Sequence, residues 1–186
     1  MIGAMELRSH LILLLVYVMY PMWLVVGAVD YLCHRRTRIS HTSGVTESSL
    51  HVLQFVSLAL PLGLALFLQV NALVFTLICG FILAHTILAY VDVRYTLGLR
   101  HISALEQQVH GLMDTLPLMA LALVGALNWE SIRQGFAGAG LQLQQDKLAW
   151  PQFAFMLSFL VLSGVPILEE WLRTRRAAHM GLATIK

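Results

Sequence analysis

The sequence predicts an all-α protein: a polytopic membrane bundle of about five transmembrane helices, with its N-terminus outside and its C-terminus cytoplasmic. Three observations predict it. Of 186 residues, 58% are hydrophobic and only 12% charged, against about 25% charged in an average soluble domain. The apolar residues fall in long runs, each near the ~20 residues that cross a bilayer. Lysine and arginine concentrate in alternate connections, as the positive-inside rule requires of a membrane protein.

Five spans follow within a single domain, residues 1–186, at about 11–34, 47–69, 72–94, 103–129 and 151–172. The first run follows Arg8 as a signal peptide would, but it extends through Tyr31 without a small-x-small cleavage site before Arg35. It is therefore read as a mature helix. Val70-Asn71 is a short turn between spans two and three, and Pro151 suits the first turn of span five. Pro21, Pro61, Pro117 and Pro166 fall inside spans, where they kink helices and open space between them. Trp129, Trp150 and Trp171 stand at span ends, as an aromatic belt predicts. Cys33 and Cys79 lie in apolar stretches and read as packed free thiols.

Nine basic residues (Arg35, Arg36, Arg38, Arg94, Arg100, Arg173, Arg175, Arg176, Lys186) flank one side, against Arg8, Arg133 and Lys147 on the other. This sets the orientation, and the expected setting is a bacterial inner membrane. The stretch Gly135-Phe136-Ala137-Gly138-Ala139-Gly140 lacks the strand, helix and Lys-Ser/Thr ending of a phosphate loop and reads as a plain connection. Thr46 or Ser43 is expected to cap span two.

The ionisable residues inside the spans carry the chemistry. Asp30 and His34 end span one, and Glu47 and His51 begin span two, each pair at i,i+4. His85 and Asp92 lie at i,i+7 late in span three, and Glu106, His110 and Asp114 at i,i+4,i+8 early in span four. Spacings of four and seven keep side chains within about 40° of one another around a helix. Odd spans carry these groups at their ends and even spans at their beginnings, so the topology brings all of them to the cytoplasmic level. Burying so many ionisable groups near lipid costs several kcal/mol each unless they pair or coordinate. Two metal ions with mixed N/O ligands would satisfy the set, and such shells suit iron, with manganese and zinc as alternatives.

The expected ligands are Asp30, His34, Glu47, His51, His85, Asp92, Glu106 and His110. His41, His101 and Asp114 are expected beside them, as exchangeable ligands or partners of the ligands. Arg35, Arg36 and Arg100 are expected to hold a phosphate or carboxylate headgroup. No particular catalytic side chain follows from the pattern, and no nucleotide or flavin motif is present.

In ligand chemistry, the stretch Asp30 to Asp114 resembles the membrane-bound di-iron hydroxylases and desaturases acting on lipids, whose histidine boxes lie at cytoplasmic helix ends. It lacks their adjacent His-His pairs and has carboxylates instead, closer to the ferritin-like di-iron pattern. The resemblance implies an oxidoreductase, a monooxygenase or desaturase, that works on a lipid or other hydrophobic substrate with electrons from an external donor protein. Nothing points to nucleic acid, and an oligomer is compatible with the pattern. The same ligand types would serve a zinc-dependent lipid hydrolase. Metal or proton transport predicts polar residues across the whole membrane depth, and the outer halves of spans one, two and four carry almost no charge. A bis-histidine haem carrier would leave the carboxylates unexplained.

Overall fold

The computed structural model describes residues 2–144 and 150–181, with side chains from residue 5. Lys147 and Lys186, two of the charges used to orient the spans, lie outside the described residues.

Among the described residues, five helices are long and apolar enough to cross a membrane. The first, α1, runs through Ile2–Leu14, a π-helical turn at Leu15–Met19, and Tyr20–Arg36. Helices α2 (Gly44–Phe67), α3 (Ala72–Thr96) and α4 (Ala104–Leu127) follow. The last, α5, comprises Trp150–Phe159, a second π turn at Leu160–Gly164, and Val165–His179.

Each end has a local cause. Asn71 Oδ1 accepts from Val74 N at 3.1 Å and caps α3, and Ser103 Oγ accepts from Glu106 N at 3.2 Å and caps α4. Ser43 stands at the cap position of α2, but its hydroxyl donates to the Glu47 carboxylate instead of closing the helix. Both π turns stop just before a proline, Pro21 and Pro166. A proline cannot donate to the preceding turn and crowds its carbonyl, and a widened turn relieves the crowding.

The first and last helices overrun the apolar spans. Span one was expected to begin near residue 11, but α1 starts at Ile2; span five was expected to end near 172, but α5 continues to His179. Hydropathy marks where lipid could lie, whereas backbone hydrogen bonding continues into polar sequence. The connection after α4 is also more ordered than its glycines suggest. Gln69 N donates to Gln142 O at 2.8 Å, Gln144 N to Phe67 O at 3.0 Å and Asn71 Nδ2 to Gly140 O at 2.8 Å. These bonds fold it back onto the α2–α3 turn.

The apolar core is built from Leu58, Val70, Val74, Ile78, Ile82 and Phe159, with Trp23 and Phe55 packed against it. Cys33 and Cys79 are free. Short polar contacts seat α5 against its neighbours: Tyr20 to Ser158 and Ser48 to Thr174, both 2.6 Å between hydroxyl oxygens. That seating decides where the acidic residues of α5 stand.

Candidate metal centre

The bundle has two unlike ends. One, called the site end here, holds the α1–α2 turn, the α3–α4 turn and the close of α5. The other holds the N-terminus and the α2–α3 turn. All five helices deliver ionisable side chains to the site end.

Asp30 and His34 lie on the last turns of α1, with His34 only 2% exposed. Glu47 and His51 lie on the first turns of α2, Asp92 near the end of α3, and Glu106 and His110 at the start of α4. Gly44 (φ +68°) opens α2 and Gly98 (φ +88°) opens the α3–α4 turn, in a backbone region that favours glycine. The α3–α4 turn carries Arg100 into the interior, where its side chain is 2% exposed.

Glu170 of α5 organises the centre. Its Oε2 accepts from His34 Nδ1 at 3.0 Å and its Oε1 from His51 Nδ1 at 2.6 Å. The two imidazoles are held nearly parallel, with 4.5 Å between ring centroids and 7° between planes. With both Nδ1–H groups committed to one carboxylate, both Nε2 atoms are left to face the remaining acids. His34 Nε2 stands 3.5 Å from Asp30 Oδ1 and 3.6 Å from Glu106 Oε1, and His110 Nε2 stands 3.1 Å from the same Asp30 oxygen. His51 Nε2 stands 3.1 Å from Asp92 Oδ2 and 3.9 Å from Glu47 Oε1.

Among the described residues, three overlapping triads could each hold a metal ion: Asp30–His34–His110, His34–His51–Glu170 and Glu47–His51–Asp92. They are separate triads joined through His34 and His51, not one shared shell. Donor atoms about 2.0–2.2 Å from one ion stand roughly 3–3.5 Å apart, close to the separations found here.

The donors fit a cation on a second count. His34 Nε2 and Glu106 Oε2 are buried with no hydrogen-bond partner. Unpaired polar atoms at this depth are expensive, and these face one another. Five carboxylates are buried here (Asp30, Glu47, Asp92, Glu106, Glu170) against one buried guanidinium. The set carries −4 while the imidazoles are neutral, and two divalent ions would cancel that charge.

Arg100 ties the two sides together. Its Nε donates to both Glu47 oxygens at 3.0 and 3.2 Å, its Nη2 to Glu47 Oε1 at 2.5 Å, and its Nη1 stands 2.5 Å from Glu106 Oε1. Burial alone would lower the guanidinium pKa, but Glu47 and Glu106 outweigh burial and raise it, so Arg100 stays charged.

Seven of the eight expected ligands therefore converge: Asp30, His34, Glu47, His51, Asp92, Glu106 and His110. His85 is buried but stands apart, with Nδ1 3.4 Å from Ser57 Oγ and Nε2 3.7 Å from Asp114, whose side chain is 42% exposed. Both line the cavity of about 90 Å³ at the centre, together with Asp30, His34, His51, Asp92, His110 and Glu170. His41 closes the turn Ile39–His41, and His41 and His101 are both exposed at the site end. Of the expected headgroup arginines, Arg100 is enclosed by Glu47 and Glu106. Arg35 Nη1 donates to Glu169 Oε1 at 3.1 Å, and Arg36 is exposed.

Sequence reasoning missed Glu170. It lies in the last apolar turns of α5, at the depth that marks the ends of α1 and α3, but next to a basic segment that draws it into the topology argument. The depth rule applied to spans one to four would have found it.

No family model, curated protein or solved structure matches the chain. Fold and site together define a bundle of membrane-length helices enclosing buried His/Asp/Glu clusters able to coordinate metal ions. What the chain does with them follows from its own residues.

Proposed function

We propose that the chain is a membrane-embedded, metal-dependent oxidoreductase that binds two metal ions, with iron the best match, and hydroxylates or desaturates a hydrophobic substrate. The observation that carries the proposal is the doubled arrangement around Glu170. Two histidines with their Nδ1 atoms fixed by one carboxylate present Nε2 to separate acidic groups, Asp30/Glu106/His110 on one side and Glu47/Asp92 on the other. A mixed N/O shell on each side suits redox-active iron or manganese. The likeness to membrane di-iron hydroxylases and desaturases is one of donor chemistry and supports the reaction class.

Bound iron would supply oxygen activation. The residues supply position, charge and protons. Glu170 orients His34 and His51; Arg100 holds Glu47 and Glu106 and screens their mutual repulsion. Asp114, partly exposed and facing His85, is placed to pass protons between solvent and the buried cavity. Hydroxylation takes dioxygen, two electrons and two protons, places one oxygen atom in a C–H bond and releases the other as water. The electrons come from a separate donor. The positive-inside pattern orients the centre toward the cytoplasm, where that donor would be reduced.

Elemental mass spectrometry of the detergent-purified chain, with an absorption spectrum of the same sample, tests this reading. About two iron or manganese ions per chain, without a haem Soret band, is the expected result. Zinc at the same stoichiometry moves the reading to hydrolysis by metal-bound water. A chain that takes up no metal on reconstitution overturns both.

A further inference from the structure

The half of the bundle away from the metal centre holds a larger chamber, about 670 Å³, within the roughly 300–1,000 Å³ of small-molecule sites. Its walls are apolar, among them Leu15, Val16, Leu62, Ile78, Leu121 and Val124. Its rim is polar, with Gln69, Asn128 and Gln144, and Arg8 is the one charged side chain lining it among the described residues. Arg8 Nη1 donates to Leu127 O at 2.5 Å, which holds the guanidinium at the rim.

At its inner limit the chamber meets the cavity of the metal centre, and Trp23 and Leu58 line both. Phe159 reinforces that boundary, stacked on Trp23 at 5.0 Å and on Phe55 at 5.2 Å between centroids. The boundary therefore consists of side chains, not backbone. The π turn Leu15–Met19 forms part of the chamber wall, and the π turn Leu160–Gly164 gives Leu162 and Ser163 to the cavity wall. Widened turns of this kind recur at functional sites.

We infer that the chamber binds a single-chain amphiphile with an anionic carboxylate head, the head at Arg8 and the tail directed at the Trp23–Leu58 boundary. Length supports this. Arg8 and Trp23 are fifteen residues apart on α1, roughly 22 Å along a helix. An extended chain of about sixteen to eighteen carbons, built from ~1.5 Å bonds, spans that distance. Charge supports it too, since one rim cation beside neutral amides selects an anion. The inference deepens the proposed function: on that reading the tail end, not the region near the head, meets the metal cavity, and oxidation falls at or near the terminal carbon. It also sets the head at the opposite end of the bundle from Arg35 and Arg36.

The test uses the full chain in detergent with Trp129→Phe, Trp150→Phe and Trp171→Phe, which leaves Trp23 as the one tryptophan. The probes are carboxylates of about sixteen carbons, brominated either at the terminal carbon or beside the carboxylate. Saturable quenching of Trp23, several-fold stronger with terminal bromine, is expected. Arg8→Gln should weaken binding about tenfold, which corresponds to ~1.4 kcal/mol. Native mass spectrometry of the unmutated chain should count one retained carboxylate, which guards against a tryptophan variant that folds poorly. Equal quenching by both probes, quenching that never saturates, or stronger quenching by the head-brominated probe would overturn the inference. So would an Arg8→Gln variant that binds as before. Binding is read on metal-free and metal-reconstituted protein alike. Saturable quenching in a chain that takes up no metal would leave the chamber standing and the oxidative reading refuted.

Discussion

The same helices build two halves that are held together differently. In the far half, Leu58, Val74, Ile78 and Phe159 pack side chain against side chain, and no ionisable cluster interrupts them among the described residues. In the site half, buried acids, imidazoles and Arg100 meet within a few ångströms, and the groups depend on one another for neutralisation. Packing loss in the far half is local, because each apolar contact contributes separately. Removing one member from the site half leaves others charged and unpaired, so effects there should spread across helices. Membrane burial sharpens the contrast, since an ionisable group at this depth persists only with a partner or an ion.

The comparison can be broken most decisively at the two central histidines. His34→Ala removes a donor from two of the three triads, as does His51→Ala from its own two. Each variant should lose the ion on its own side, Asp30/Glu106/His110 for His34 and Glu47/Asp92 for His51, while still inserting. Elemental analysis reads this directly, and retention of two ions in either variant would end the site assignment.

Arg100→Met comes next. It leaves Glu47 and Glu106 buried without their shared cation, which should cost about 3–5 kcal/mol in the metal-free protein. Thermal unfolding in detergent would show the loss, and added divalent metal should restore part of it. If metal restores nothing, the two carboxylates answer to Arg100 alone.

Glu170→Gln keeps the shape but can accept from only one imidazole at a time. Metal affinity should fall about 10–100-fold at both positions together, as read by competition with a chelator. A loss confined to one position would show that Glu170 does not orient both rings. The smallest effect falls at the boundary between the halves. A Cβ on Gly164 would come within 2.9 Å of Phe55 Cζ, so Gly164→Ala must displace that ring, at about 1–3 kcal/mol. Near-ultraviolet circular dichroism should report the shifted aromatic stack, with metal content unchanged.

Much of this architecture was legible in the residues. Five helices of membrane length follow from composition and run length, because lipid imposes one simple rule on every segment that enters it. The convergence of Asp30, His34, Glu47, His51, Asp92, Glu106 and His110 followed from helical spacing plus alternating direction, both periodic properties of the chain. His85 and Asp114 share that stripe and level, yet form their own pair, because helical phase does not say which neighbour a side chain meets.

Other features belonged to tertiary structure. Glu170 reaches His34 and His51 only because Ser158 and Thr174 seat α5 against α1 and α2, and nothing in its local sequence names those partners. Arg100 reads in the sequence as a headgroup-binding cation, and only the α3–α4 turn carries it inward onto Glu47 and Glu106. The chamber ending at Trp23 and Leu58 exists only in the space between helices. The sequence by itself determined that the chain is a membrane-length helical bundle with imidazoles and carboxylates gathered at one end, since period and polarity are local. Only the tertiary structure decided which carboxylate holds the histidines, which cation is enclosed and where an apolar cavity opens, since each depends on how helices far apart in sequence pack together.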